Sequence, residues 1–267
     1  MFGLDRLLKT SDTGIYIMNG ITFLFGLLVG SFINVLADRL PRGESVMWGR
    51  SHCDYCKKPL RWFELVPVVS YLFQRGACLR CHKRLSVQYP LVELATALGF
   101  LYVFLTFNYS PFQLFAYLLI FSCLMVIFVA DIKYQIIPDS MIVGSLLATI
   151  LLIAARVIPS AEVLPRFLSG AGAFLFFYII WAVTRGRGMG FGDVKFSFFM
   201  GLFLGYPMII IADYIAFLTG AIVGVILIMR GKKKLKSTIA FGPFLVLGVV
   251  GAFVWGEQIL GWWRGLL

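Results

Sequence analysis

Arg187-Gly188-Met189-Gly190-Phe191-Gly192-Asp193-Val194-Lys195 interrupts a chain otherwise dominated by apolar runs long enough to cross a bilayer. Three glycines at alternate positions lead straight into a carboxylate. Glycine has no Cβ, so its backbone bends freely and admits a second backbone at close range. A carboxylate at membrane depth is costly and is a functional candidate by default. A second reading stands beside this one: Asp193 caps a helix and the glycines let helices pack. The stretch alone leaves both open. A carboxylate doing acid–base work needs a partner, and Asp131, in Val129-Ala130-Asp131-Ile132-Lys133, also closes an apolar run. Together they suggest an intramembrane hydrolase with two aspartates at its centre.

Composition supports the setting. Of 267 residues, 60% are hydrophobic and 14% charged, and the mean hydropathy is +0.89. Such a chain is no ordinary soluble domain; it reads as an all-α polytopic membrane protein. Apolar runs predict about eight transmembrane helices, near 15–37, 89–107, 112–130, 138–156, 166–184, 194–206, 208–229 and 240–261. The sixth is short. No removable signal peptide is predicted, because residues 1–14 mix acidic and basic groups and the first run is too long. The expected division is 1–37 as N-terminal segment and first span, 38–88 as a loop, and 89–267 as a membrane core. Gly26-x-x-x-Gly30, Gly201-x-x-x-Gly205 and Gly220-x-x-x-Gly224 read as helix-packing faces.

Charge orients the spans. Nineteen of the 24 Lys and Arg residues fall in loops 38–88, 131–137, 185–195 and 230–239, on one side of the predicted membrane. Basic loops stay in the cytoplasm, so both chain termini are expected outside. The net charge of +11 is then mostly topology, and nucleic acid is not needed as a partner. The Lys232–Lys236 run reads as an inside loop touching anionic lipid. Asp131 and Asp193 both arrive at the cytoplasmic face.

Loop 38–88 carries Cys53-Asp54-Tyr55-Cys56 and Cys78-Leu79-Arg80-Cys81. Each Cys-x-x-Cys forms a knuckle that offers two thiolates to one tetrahedral metal. The alternative is two disulfides, which a reducing compartment disfavours. The expectation is structural zinc on Cys53, Cys56, Cys78 and Cys81, with His52 and His82 as bystanders. Among the remaining polar groups, Glu93 reads as a first-turn carboxylate complementing a helix dipole. Asn34 and Ser31 read as bonding between helices, Asp139 as a cap, and Lys195 as a residue reaching for headgroups.

Taken in order, these stretches resemble the bacterial type IV prepilin peptidases. The matching segments are Gly30-Ser31-Phe32-Ile33-Asn34-Val35 with Arg39-Leu40-Pro41-Arg42-Gly43-Glu44-Ser45, the two cysteine pairs, and Pro67-Val68-Val69-Ser70-Tyr71-Leu72. They continue with Tyr89-Pro90-Leu91-Val92-Glu93, Asp131 with Ile137-Pro138-Asp139, Gly188–Lys195, and Phe241-Gly242-Pro243-Phe244. Ala240 departs from the family pattern, which has proline there.

The resemblance implies a Gly-x-Gly-Asp aspartic protease with Asp131 and Asp193 catalytic and Gly190 and Gly192 supporting the motif. It implies prepilin or pseudopilin substrates, cut on the cytoplasmic side of the inner membrane between a basic leader and an apolar helix. S-adenosylmethionine would then methylate the new N-terminus; no motif marks its site. The rival reading is a membrane transporter using the two aspartates as proton or cation ligands. It leaves the cysteine loop without a role.

Overall fold

Long apolar segments with no internal breaker satisfy their backbone hydrogen bonds by coiling, and helices account for the architecture. The computed structural model describes residues 12–46, 48–53, 55–106, 110–231 and 240–265. Helices α1 (Asp12–Arg39), α2 (Val69–Phe73), α3 (Gln88–Thr106), α4 (Pro111–Tyr134) and α5 (Asp139–Ala154) come first. They are followed by α6 (Ser160–Val183), α7 (Phe191–Leu204), α8 (Met208–Met229) and α9 (Gly242–Arg264). Among the described residues there are no strands beyond two isolated bridges in the cysteine loop. The Lys232–Lys236 run and residues 1–11 lie outside the described residues.

Among the described residues six helices are long and apolar enough to cross a membrane: α1, α3, α4, α6, α8 and α9. The other two of the eight expected spans correspond to the shorter helices α5 and α7. Helix α5 has 16 residues and α7 has 14, about 24 and 21 Å at 1.5 Å per residue, against a hydrocarbon core of about 30 Å. The long helices expose large apolar side chains such as Leu24, Leu28, Leu168 and Ile210, as lipid-facing surfaces do. Helix α7 is different: ten of its 14 residues are buried, so it packs on protein around most of its circumference.

The chain forms two units, residues 1–126 and 127–267. In the first, α1 lies on α3 through small residues. A Cβ at Gly26 would come within 2.6 Å of Ala97 Cα, and one at Gly30 within 2.6 Å of Glu93 Cα. In the second, α7 packs against α5, α6, α8 and α9. Gly201 of α7 meets Gly170 of α6 so closely that a Cβ would sit 2.6 Å from Gly170 Cα. Buried hydroxyls are returned to their own helices: Ser145 to Met141 O, Thr149 to Ser145 O, Ser197 to Val194 O. No polar group of that set is left to lipid.

Helix ends follow the apolar runs with one instructive departure. The sixth helix starts at Ser160, earlier than the run near 166, and takes Pro165 inside it. Arg166 bonds Glu162 one turn back at 2.9 Å, so a polar first turn extends the helix beyond its apolar stretch.

Candidate active site and metal centre

Asp193 is the third residue of α7. Its backbone N–H bonds Gly190 O at 3.2 Å, and its Oδ2 accepts the Gly190 N–H at 3.1 Å. The carboxylate thus ties down a donor at the helix start while remaining 6% exposed. The capping reading is met by this bond, and the same side chain stays buried. Asp131 lies in the last turn of α4, 5% exposed, and its Oδ2 accepts the Gly242 N–H of α9 at 2.8 Å.

The two carboxylates share a neighbourhood. Asp193 lies within reach of the Asp131 charge, and one side chain, Ile137, stands against both of their glycine neighbours. A Cβ at Gly192 would lie 3.1 Å from Ile137 Cβ; a Cβ at Gly242 would lie 3.2 Å from Ile137 Cδ1 and 2.7 Å from Asp131 Oδ2. A side chain at Gly242 would require the Asp131 carboxylate to move. Sequence reasoning did not find Gly242 or Ile137 as parts of the site. The available signal was the Gly-Pro pair opening the last apolar run, since an N–H in the first turn of a helix has no partner within that helix.

Two further carboxylates depart from expectation. Asp139 is the first residue of α5, but its side chain makes no cap; instead both of its oxygens accept from Lys195 Nζ at 2.7 Å. Lys195 also lies 5.5 Å over the Phe191 ring. Glu93 is not in the first turn of α3, which begins at Gln88. It is buried, accepts the Val68 N–H at 2.6 Å and bonds Ser31. Val68 has φ 60°, an uncommon conformation for a β-branched residue, so this carboxylate pins a strained turn. Asn34 bonds between helices as expected, donating to Tyr89 O at 3.2 Å.

In the cysteine loop the same bonds occur twice. Cys53 N–H donates to Lys58 O, and Lys57 N–H to Cys53 O; Cys78 N–H donates to Lys83 O, and His82 N–H to Cys78 O. The residue after each second cysteine, Lys57 or His82, has positive φ. One bridge closes each knuckle, His52 to Pro59 and Ala77 to Arg84. Glu64 joins the loop's parts, accepting from the Arg61 N–H at 2.6 Å and lying 3.8 Å from Arg80.

The knuckles bring the thiols of Cys53, Cys56, Cys78 and Cys81 within 4.8 Å of one another. The Cys53 and Cys81 sulfurs are 3.9 Å apart. Zinc–sulfur bonds of about 2.3 Å in a tetrahedron require sulfurs about 3.8 Å apart, so the set fits such an ion. All four cysteines are unpaired thiols. Backbone N–H groups of Cys81 and Arg80 aim at the Cys78 sulfur and hold its thiol below the usual range, while burial pushes the Cys53 thiol up, so the fit of the set to a metal rests on its geometry. His52 and His82 are not among the clustered ligands.

Comparison with known proteins follows the same two parts. Residues 24–107 match the bacterial peptidase A24 N-terminal domain and residues 118–225 match the type IV leader peptidase family. No solved structure matches. A prepilin leader peptidase/N-methyltransferase of Bacillus subtilis is 34% identical over 92% of this chain and 98% of the relative. One from Legionella pneumophila is 32% identical over 91% and 93%, and one from Pseudomonas aeruginosa 32% identical over 89% and 90%. With membrane-length helices, a buried aspartate pair and a four-thiol loop already in view, the chain belongs to the type IV leader peptidase family of membrane proteases.

Proposed function

We propose that the protein is an intramembrane aspartic endopeptidase that removes the basic leader from prepilins or pseudopilins on the cytoplasmic face, and that it then methylates the new N-terminal amine. The observation that carries the first half is the convergence of Asp131 and Asp193 on one buried neighbourhood, each with one oxygen held by a glycine N–H. Two carboxylates so placed share a proton. The ionised one takes a proton from water; the protonated one polarises the scissile carbonyl. Gly190 and Gly192 carry no side chain, which leaves space for an extended substrate backbone beside Asp193.

Zinc on the four cysteines is structural in this reading: a closed tetrahedral site offers no open position for chemistry. The methyl half rests on the relatives' names. In this reading the cysteine loop and both aspartates face the cytoplasm at the inner membrane and the termini lie outside, an orientation supported by the basic residues concentrated in loops 38–88, 131–137, 185–195 and 230–239. Reporter fusions at Gly76 and at the C-terminus test that orientation; an outside report from Gly76 reverses it.

The deciding experiment is incubation of the purified protein with a peptide bearing a prepilin leader and the start of its apolar helix. Cleavage at the leader junction, lost in Asp193→Asn, is the expected result. A protein that leaves the peptide intact but moves protons or cations across a vesicle membrane supports the transporter reading instead.

A further inference from the structure

In the first unit an open cavity of about 180 Å³ lies between α1, α3 and the cysteine loop. Its walls run against the charge of the protein. In a chain of net +11, four carboxylates line it, Asp38, Glu44, Glu64 and Glu93, against the guanidiniums of Arg39 and Arg42. Arg39 is turned to the loop, donating to Ser45 O, Trp48 O and Gly49 O. Glu93, at the helical end, is 8% exposed.

A second observation is independent of charge. Asn34 lines the cavity, is 5% exposed, and its Oδ1 is buried with no partner. The amide cannot be turned to relieve this, because its Nδ2 faces two acceptors, Gly30 O at 3.3 Å and Tyr89 O at 3.2 Å. A buried acceptor without a donor costs about 1–3 kcal/mol. An N–H or cationic group entering the cavity supplies what is missing. The relatives' second activity uses a donor of that kind, since a biological methyl donor carries its methyl on a sulfonium beside an α-ammonium.

We propose that this cavity holds the methyl donor, a sulfonium nucleoside of the S-adenosylmethionine class, with its cationic end against Glu93 and Asn34 Oδ1 and its nucleoside toward the open mouth. The placement rests on the methyltransferase reading above. The enclosed space is smaller than the roughly 300–1,000 Å³ of whole-ligand pockets, so it suits the small charged end and not the whole molecule. In the transfer, the lone pair of the deprotonated pilin amine forms the N–C bond as the C–S bond breaks. The pair from that bond stays on sulfur, leaving a neutral thioether, and the methylated nitrogen holds the positive charge. The product has one cation fewer than the donor, so an acidic cavity holds it less tightly.

The test is equilibrium binding of S-adenosylmethionine and of S-adenosylhomocysteine to the full-length zinc-loaded protein in nanodiscs. The wild-type protein should prefer the donor. Glu93→Gln should weaken donor binding at least fivefold and reduce that preference; Asn34→Leu should weaken both ligands at least fivefold. Zinc content and leader cleavage report whether each variant is folded. In the unaltered protein, the donor should slow amide exchange in 30–38, 64–71 and 88–94. Smaller changes in donor affinity, or slowing confined to other segments, overturn the placement. So does a rise in KM for a pre-cut peptide with donor affinity unchanged, which assigns the cavity to the acceptor amine. A wild-type protein that binds no donor and methylates no pre-cut peptide sinks the methyltransferase reading and the placement together. Binding that ignores both substitutions sinks the placement alone.

Discussion

In the cysteine loop every thiol lies within 28 residues of its partners, and two knuckles repeat one set of backbone bonds. Asp131 and Gly242 instead meet across 111 residues, and three helix ends must be in place before the aspartates share a neighbourhood. The loop has little apolar core, with Trp48, Trp62 and Phe73 exposed, so a metal held by its four thiols would be the cross-link that fixes its shape. The aspartate region has no cross-link among the described residues and depends on close packing, with Val194, Phe196, Phe199 and Met200 fully buried. A metal-held part fails when a ligand is removed; a packed part fails when a methyl group is added.

The largest break should come at the aspartates. Asp131→Asn and Asp193→Asn each keep size and polarity but cannot ionise. Each should lower leader cleavage by at least about 10³-fold, roughly 4 kcal/mol of barrier, with zinc content unchanged, and the double variant should be little worse. A rate for Asp193→Asn within about tenfold of normal, about 1.4 kcal/mol, would rule out its direct acid–base role. In the unaltered protein, cleavage should fall at low pH, where the base is protonated, and at high pH, where the acid is ionised. The two apparent pKa values belong to the pair.

Next comes the added methyl. Gly242→Ala puts a Cβ 2.7 Å from Asp131 Oδ2, which must move. A displacement approaching 1 Å costs about a hundredfold in rate, so cleavage should drop by that order while bound zinc stays normal. Unchanged kinetics would show that the Gly242 bond does not set the Asp131 geometry.

Cysteine substitutions should show the reverse pattern. Any one of Cys53, Cys56, Cys78 or Cys81 changed to Ser should strip most of the zinc and speed proteolysis of the loop, with the spans still inserted. Cleavage should fall by only roughly tenfold, about 1.4 kcal/mol. Metal analysis finding full zinc in all four variants would refute the ligand set. The smallest effect is expected at Lys195→Met. Its pair with Asp139 is exposed on both sides, and such pairs contribute under about 1 kcal/mol; a cleavage rate within about threefold of normal is the expected reading.

The same contrast explains what the sequence disclosed. Cysteine spacing is local, so the loop's four-thiol cluster could be read directly. Span positions were legible because apolar length is local too, and the helix read at 208–229 is found at Met208–Met229. Where a helix begins with a polar turn, as at Glu162 and Arg166, apolar counting started it too late. The short α7 carried too little apolar length to reveal that it is wrapped by other helices. Gly242 and Ile137 were not read as site residues because their roles exist only after distant segments meet, although the Gly-Pro pair hinted at a free N–H at Gly242. Glu93 was misplaced for a similar reason: its partner, the strained Val68 turn, lies 25 residues away.

Ile137 sets a consequence for how this centre can be retuned. It is 8% exposed and stands against the glycines beside both carboxylates, so it works as a gauge block between two helix starts. Its thickness is adjustable in single-carbon steps, and altering it changes neither an ionisable group nor a hydrogen-bond donor. Relatives with a bulkier or slimmer aliphatic there could hold their acid pair at a different gap with every catalytic letter of the sequence unchanged. Drift in reaction optimum between such enzymes would then trace to a residue that a catalogue of reactive groups passes over.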